Sequence, residues 1–204
     1  MDKKEIIEGL NAVYEEIDNS REYLVWLDQQ TGDGDLGISM SDGFRAVKEY
    51  LSETEERNLS KLWNTCGNIF NEAASSSLGT IISFVFKGMS RSMNGLEYFN
   101  LKELATAMKC GAELAMSRAG SKLGEKTFFD SFIPGVNALK QFADDKIEAF
   151  TMAADAAQIG CETTKNMKAV WGRAACYGTE SIGMLDGGAV VGSLIFKALA
   201  NSAV

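Results

Sequence analysis

The chain has 204 residues, of which 46% are hydrophobic and 24% are charged, a length and composition typical of one globular domain with a single core. Its formal net charge of −8 at pH 7 argues against a nucleic-acid surface, which needs clustered Lys and Arg. Histidine is absent, and this excludes Ser-His and Cys-His catalysis, a phosphohistidine and imidazole metal ligands.

Apolar residues recur at helical spacing along most of the chain, and alternating strand-type runs are lacking. The first three helical faces consist of Ile6, Leu10, Val13, Tyr14 and Ile17, then Met40, Phe44, Val47 and Leu51, then Leu59, Leu62, Trp63, Cys66 and Phe70. Further helices are predicted over about 78–90, 101–118 with Asn100 as N-cap, 127–140, 146–168 and 188–201. The pattern predicts a single all-α domain over residues 1–204, with about seven to nine helices.

The cysteines and the N-terminal stretch predict where such a protein works. Cys66, Cys110, Cys161 and Cys176 form no C-x-x-C pair, so buried free thiols are favoured over a disulfide framework or a zinc site. The N-terminal stretch is amphipathic, which predicts neither a signal peptide nor a membrane span. We therefore expect a cytoplasmic protein, in a compartment where thiols stay reduced.

Three carboxylates lie close together in the Gly-rich run 27–37, between two helical patterns. They are Asp28, Asp33 and Asp35. Such carboxylates repel one another unless a cation lies between them, and their oxygens suit hard ions such as Mg²⁺ or Ca²⁺. A plain turn is the alternative, since Asp and Gly are common turn and N-cap residues. An EF-hand is excluded, because its sixth and twelfth positions, counted from Asp33, would be Ile38 and Phe44.

Two further junctions are rich in small residues. The run 73–80 places Ser75 and Ser76 before an apolar helix, where hydroxyl and N–H groups can donate to an anion, although serines there are also plain N-caps. The run 124–127, Gly-Glu-Lys-Thr, is not a Walker A motif, because a Glu separates the Gly from the Lys and no strand precedes it. The alternative to a phosphate-binding role for this run is a plain turn between two helices, with Asp130 as an acid on the surface of a helix.

The last junction, residues 171–188, is dense in glycine and contains a single cation, Arg173. A guanidinium among small residues is able to bind two phosphate oxygens at once. The alternative is an ion pair between Arg173 and Glu180.

In this order, the motifs resemble the nucleotide-binding L subunit (DhaL) of dihydroxyacetone kinase, over essentially the whole chain. The matching positions are the three acids, then Gly124-Glu125-Lys126-Thr127 with Asp130 and Pro134, then Gly172-Arg173-Ala174 followed by Gly178, Ser181-Ile182-Gly183 and Asp186. The resemblance implies a closed barrel of about eight antiparallel helices with the nucleotide at one end. This agrees with the number of helices predicted from periodicity.

The resemblance also implies a role for each matching residue. Asp28, Asp33 and Asp35 would bind two Mg²⁺ ions that hold the phosphates of ADP or ATP, and with Arg173, which would reach phosphate, they form the expected catalytic set. The nucleotide contacts it implies are Leu36, Gly37, Ile38, Ser39, Ser75, Ser76, Gly120, Phe128, Arg173, Asp186, Gly187 and Gly188. The family usually has His where this chain has Leu36, Pro where it has Gly187 and Met where it has Phe128, and its Ser-rich loop is longer.

The implied function is that of the nucleotide-binding, phosphoryl-transferring subunit of a dihydroxyacetone (glycerone) kinase. In this family a His of a K-type subunit holds the hydroxyketone, so a chain without His is expected to need a K-type partner. A phosphotransferase-system donor of the DhaM type, which recharges bound ADP, is favoured over exchangeable ATP. Two alternatives stay open: a diverged paralogue that phosphorylates another short ketose with ATP, and a non-catalytic Mg-ADP-binding regulatory module. A homodimer also stays open.

Overall fold

The structure is a computed structural model that describes residues 1–203, and this part of the chain forms nine α-helices and two 3-10 helices without a strand. The α-helices are α1 Lys3–Asn19, α2 Arg21–Asp28, α3 Leu36–Glu53, α4 Leu59–Ala73, α5 Ser77–Ser92, α6 Leu101–Ala119, α7 Phe129–Gln141, α8 Lys146–Thr163 and α9 Gly187–Ala203. The 3-10 helices are Thr164–Asn166 and Arg173–Ser181. The all-α prediction is confirmed.

Polar caps set the beginnings of several helices. The side chain of Asn100 accepts a hydrogen bond from the backbone N–H of Glu103, whose carboxylate in turn accepts from the N–H of Asn100. This capping box places the start of α6 where the sequence predicted it. At the other end of α6, Gly120 adopts a left-handed conformation with φ of +73°, which a residue without a Cβ adopts at little cost.

Contacts between helices form a closed circuit around one core. In the order α1, α3, α4, α5, α6, α7, α8 and α9, each helix packs against the next, and α9 packs back against α1. The short helix α2 packs mainly on α3. The largest fully buried side chains include Phe44, Phe70, Phe129 and Phe196, so α3, α4, α7 and α9 each contribute an aromatic ring to this core. The antiparallel barrel itself stays a prediction.

Glycines allow some neighbouring helices to approach closely. A Cβ on Gly88 of α5 would lie only 2.5 Å from the Cα of Gly111 in α6, and one on Gly160 of α8 would collide with the backbone carbonyl of Asp130 in α7. Larger residues at these positions would push the backbones apart, because interiors are packed too densely to absorb them.

The connections between helices gather at two ends of the circuit. One, here named the site end, holds the connections 29–35, 74–76, 120–128 and 164–186. The other, the far end, holds the connections 54–58, 93–100 and 142–145 and the start of α1. There the terminal amine of Met1 donates to the carbonyl of Phe99 at 2.7 Å, and Lys3 donates to the carbonyl of Thr54 at 2.5 Å.

Some elements differ from the sequence predictions. Helix α2 was not predicted. Only Leu24 and Leu27 of its eight residues are buried, and two apolar positions are too few to reveal a helical repeat in the sequence. The helix predicted over 146–168 ends as an α-helix at Thr163 and continues as a 3-10 turn.

The cysteines are free thiols, but not all of them are buried. Burial raises the pKa of Cys66 and of Cys161 to about 12. Cys110 is half-buried and Cys176 is exposed, so the expectation of a buried thiol is wrong for Cys176, which lies in the 3-10 helix of the site end. None of the helices in residues 1–203 has the length and apolar character needed to cross a membrane.

Candidate metal centre

The three acids meet in the turn between α2 and α3, and we name Asp28, Asp33 and Asp35 the acid cluster. Each offers one carboxylate oxygen, and these three atoms all lie within 4.8 Å of one another. Asp33 and Asp35 are exposed and Asp28 is half-buried. The pKa of Asp35 is raised above its usual value, first by partial loss of solvent around the carboxyl and then, to a smaller extent, by repulsion from Asp33 and Asp28. The geometry therefore concentrates negative charge in a small volume, as a site for a divalent cation requires.

Asp28 organises this turn. Its Oδ2 accepts hydrogen bonds from the backbone N–H of Gly34 at 2.8 Å and of Asp35 at 3.1 Å. Gly34 has φ of +77°, and a Cβ on Gly32 would collide with the Asp28 carboxylate. The two glycines are needed so that the chain can wrap around one carboxylate.

The plain-turn alternative explains only part of this arrangement. Turn formation uses one oxygen of Asp28, in keeping with the common use of Asp in turns. The side chain of Asp35 makes no capping bond at the start of α3 although it occupies the N-cap position. The turn thus gives no reason for the carboxylates of Asp33 and Asp35 to point toward Asp28.

Arg173 reaches the acid cluster from the opposite side of the site end. Its Nη2 lies 2.5 Å from Oδ2 of Asp33, although 140 residues separate the two in sequence. Both side chains remain largely in solvent, with 68% of Arg173 and 47% of Asp33 exposed. The partner of Arg173 is therefore an acid of the cluster and not Glu180.

The first turn of α3 follows the acid cluster directly. Leu36, Gly37 and Ser39 are buried, whereas Ile38 is 43% exposed. A Cβ on Gly37 would collide with the backbone carbonyl of Arg21, so this glycine lets α3 begin against the start of α2. The N–H groups of a helix's first turn have no partner within the helix, and here they lie beside three acids.

Helix α9 begins next to this turn. A Cβ on Gly187 would lie 2.6 Å from Cδ2 of Leu36, so two of the positions at which the chain departs from the family it resembles are neighbours in space. Asp186 caps α9 by accepting from the N–H of Ala189 at 2.7 Å. Loss of solvent around its carboxyl raises the pKa of Asp186 to about 7. A Cβ on Gly188 would lie 3.1 Å from the backbone N of Phe128.

The remaining predicted residues lie at the site end but farther from the acids. Ser76 caps α5 by accepting from the N–H of Gly79 at 3.1 Å, and Ser75 beside it is exposed. The preceding Ala74 lies against Gly43, seven residues along α3 and hence about 10 Å from its start.

Gly120 and Phe128 border the loop that follows α6. A Cβ on Gly120 would lie 3.6 Å from the ring of Trp171. The ring of Phe128 is buried and stacks on Phe132 with ring centres 4.8 Å apart, so it packs in the core. Its backbone is the part that faces Gly188.

Asp130, in the first turn of α7, contradicts the alternative that made it a surface acid. It is buried, and its carboxylate accepts from the N–H of Gly124 at 2.6 Å and of Thr127 at 2.7 Å. The spacing of Thr127 and Asp130 is a signal for such a cap, since an acid at a helix start often binds nearby N–H groups.

Sequence reasoning also gave no role to Lys126. It is the one buried lysine or arginine in residues 1–203, and its Nζ donates to the carbonyls of Thr164, Ser181 and Met184 at 2.6–2.8 Å. No spacing in the sequence indicates these bonds.

Comparisons with known proteins found a family model and relatives that match most of this chain. A family model described as the DAK2 domain matches residues 30–201. The chain is 33% identical over 205 residues to the ADP-binding subunit DhaL of PEP-dependent dihydroxyacetone kinase 1 of Listeria innocua, with 100% of this chain and 98% of that protein covered. It is 26% identical over 206 residues to the corresponding subunit of Escherichia coli, again with 100% and 98% covered.

Solved structures show the same fold. The dihydroxyacetone kinase of C. freundii in its native form matches with a TM-score of 0.76 and 25% identity over 97% of this chain. The chain spans 34% of the length of that longer chain. The structure of that kinase in complex with AMP-PNP and Mg²⁺ matches with a TM-score of 0.76 and 24% identity, over 96% of this chain and 33% of that one.

Proposed function

This chain belongs to the DAK2 domain family, and on that premise we propose that it is the ADP-binding, phosphoryl-transferring subunit of a PEP-dependent dihydroxyacetone kinase. Its relatives of similar length are named as ADP-binding subunits of that enzyme. The observation that supports this function most directly is the acid cluster, with three carboxylate oxygens within 4.8 Å and Arg173 beside them. We place the protein in the cytoplasm.

The acid cluster fits Mg²⁺ by its chemistry. All of its ligand atoms are carboxylate oxygens, the donors that this hard cation prefers, and two of the three side chains are exposed, which leaves room for water and phosphate. We propose that Asp28, Asp33 and Asp35 hold two Mg²⁺ ions. Bound ions supply positive charge that neutralises phosphate oxygens during transfer.

The nucleotide is proposed to lie across the site end. The free N–H groups of Leu36, Gly37 and Ile38 at the start of α3 suit phosphate oxygens, with Ser39 in the same turn. The start of α9, Asp186 to Gly188, lies against this turn through the contact of Gly187 with Leu36. Ser75 and Ser76 are proposed to contact the nucleotide from the side of α5, and the backbone at Gly120 and Phe128 to approach the base or ribose.

Phosphoryl transfer requires positioning and charge neutralisation more than covalent chemistry. Arg173 would exchange its bond with Asp33 for bonds to the phosphoryl oxygens, which its planar group matches. Asp28 would keep the turn in place through its bonds to Gly34 and Asp35. The phosphoryl group then passes from the donor oxygen to a hydroxyl oxygen of the hydroxyketone.

The acceptor must be held by another chain in this proposal. The sequence has no histidine to hold a hydroxyketone in the way expected of a K-type subunit, so we propose such a subunit as partner. A phosphotransferase-system protein of the DhaM type is proposed as the phosphoryl donor that recharges ADP.

Native mass spectrometry with Mg²⁺ and ADP tests the binding half of this proposal, and a transfer assay with a K-type subunit, dihydroxyacetone and a phosphotransferase-system donor tests the rest. We expect bound Mg-ADP and phosphorylated product, both lost in Asp33→Asn. Asp155→Asn, which changes an exposed acid midway along α8, is the matched control and should leave both intact.

The result that would overturn the proposal is wild-type protein that binds no Mg-ADP. Binding without transfer, with every matched partner and donor, would instead support a regulatory nucleotide-binding module. Transfer that proceeds with ATP and without the phosphotransferase-system donor would refute the proposed donor and leave the kinase function standing.

A further inference from the structure

The segment 167–186, here named the strap, carries Arg173 across the site end between α8 and α9. Its middle is exposed and forms only a 3-10 helix, which is interrupted at Gly178 by a non-helical φ of +55°. A short, exposed helix of this kind has little stability of its own. Something else must therefore fix the position of Arg173.

The loop 124–127 bonds to the strap near both of its ends. At the first, the carbonyl of Glu125 accepts from the N–H of Val170, and its carboxylate accepts from the indole N–H of Trp171 at 2.6 Å. At the second, Nζ of Lys126 donates to the carbonyls of Ser181 and Met184. Two adjacent residues thus hold the strap on either side of Arg173.

The bonds of Lys126 are unusual for a lysine. An ammonium has three N–H donors, and here each binds a backbone carbonyl, the third being that of Thr164 at the end of α8. The side chain is 4% exposed, and burial lowers the pKa of Lys126, while the neighbouring Asp186 opposes that shift. Buried ammonium groups are costly unless fully paired, so this pairing is specific to one arrangement of the strap.

The backbone at Lys126 is strained as well. Its φ of +61° makes it the one residue other than glycine with a left-handed backbone in residues 1–203. Such a conformation disfavours a residue with a long side chain. In this conformation Nζ of Lys126 reaches the carbonyls of Ser181 and Met184 in the strap.

We propose that Lys126 and Glu125 are positioning residues, which clamp the two ends of the strap and thereby hold Arg173 at the acid cluster. Both side chains bond to the strap, and in this proposal they act through Arg173. This inference rests on the proposed function for its effect on Mg-ADP, but its effect on the strap does not depend on nucleotide.

Two substitutions test the clamp at its two ends. Lys126→Met keeps most of the side-chain length and removes the three donors. Glu125→Ala removes the acceptor of Trp171 and of the backbone N–H of Lys122 at an accessible position, and so provides a test if Lys126→Met does not fold. Lys122→Met, which changes an exposed lysine of the connection 120–128 and leaves its backbone N–H in place, is the matched control, and Glu125→Gln should restore the lost acceptor.

Amide hydrogen exchange of the nucleotide-free protein is the first measurement. We expect faster exchange across 168–186 in Lys126→Met and Glu125→Ala, with α1 to α6 unchanged, and wild-type rates in Lys122→Met and Glu125→Gln. Wild-type exchange across 168–186 in both clamp variants would overturn the proposal, whether or not the protein binds nucleotide.

A double-mutant cycle on Mg-ADP affinity, read by calorimetry, then tests the action through Arg173. Lys126→Met is expected to weaken binding about tenfold, the equivalent of one lost hydrogen bond to a charged group. In an Arg173→Ala background the same substitution should cost less than about twofold, because coupled residues are not additive. An equal loss of affinity in both backgrounds would refute positioning through Arg173. Wild-type protein without affinity for Mg-ADP would instead refute the proposed function. In that case the hydrogen-exchange measurement alone would test whether Lys126 and Glu125 hold the strap.

Discussion

Replacement of Asp35 by Asn should stabilise the protein without Mg²⁺ and remove most of the stability that Mg²⁺ adds. Asp35 is the member of the acid cluster whose pKa is raised, so its charge is unfavourable in the folded state. Its side chain makes no capping bond at the start of α3, and Asn is similar in size. The substitution therefore removes a charge and little else.

The magnitude follows from the geometry of the cluster. At the upper separation of 4.8 Å, each pair of carboxylates repels by about 0.9 kcal/mol in water at low salt. Asp35 takes part in two such pairs. Loss of an acid near the start of a helix costs about 0.5 kcal/mol, and the attraction of Arg173 is lost too, so the net gain in unfolding free energy is about 1 kcal/mol. Added salt should reduce this gain, since the Debye length falls to about 8 Å at 0.15 M ionic strength.

Mg²⁺ should reverse the order of stability. At 100 times its dissociation constant, an ion that binds only the folded state adds about 2.7 kcal/mol, and Asp35→Asn should lose most of this increment. The assay is urea unfolding at low ionic strength, with EDTA and with Mg²⁺, and with Asp155→Asn as control. The reasoning is refuted if Asp35→Asn is less stable than wild type in EDTA, or if it gains as much from Mg²⁺ as wild type does.

Three further predictions concern packing, pH and thiol chemistry. Gly111→Ala should lower the unfolding free energy by about 1–3 kcal/mol in urea titrations, because the added methyl would collide with the carbonyl of Val85. The pKa of Asp186 is about 7 in the folded protein, against the ordinary value of 3.8 expected when the chain is unfolded. The folded state therefore holds this proton more tightly, and the stability that the protonated group contributes is present below about pH 4 and lost as the pH rises to 7. Asp186→Asn should therefore gain in melting temperature relative to wild type between pH 5 and 8. Cys176→Ser should remove the fastest phase of thiol labelling at pH 8, because that thiol is exposed.

Each of these three predictions would be contradicted by a specific result. Gly9→Ala, where the added methyl meets only the flexible end of Leu199 at 3.1 Å, should be tolerated, and an equal loss in both glycine variants would contradict the packing argument. A constant difference in melting temperature across that pH range would contradict the raised pKa of Asp186. Fast labelling that persists without Cys176 would place the accessible thiol elsewhere.

The features that could be predicted from the sequence depend on residues close together in the chain. Most helices and the cap at Asn100 follow from periodicity and from residues a few positions apart, so their bounds were predicted to within a few residues. The grouping of Asp28, Asp33 and Asp35 was predictable for the same reason, because one turn contains them all.

Long-range pairings could not be predicted in this way. Spacing alone offered only Glu180 as an acidic partner for Arg173, and it is the closure of the circuit that brings Asp33 to it. No pattern in the sequence assigns a role to Lys126, and only the folded structure shows that its ammonium group bonds to carbonyls inside the protein.

The two ends of the circuit also set the geometry of any fusion. Helix α1 has 17 residues and is therefore about 25 Å long, and its first residues lie at the far end, opposite the acid cluster. A domain joined before Met1 would have to span that length to present an acceptor to the site end, and an extended linker of at least about eight residues is needed for it. The fold thus separates a fused domain from the acid cluster by the length of α1, and the linker decides whether that domain is able to contact the site end.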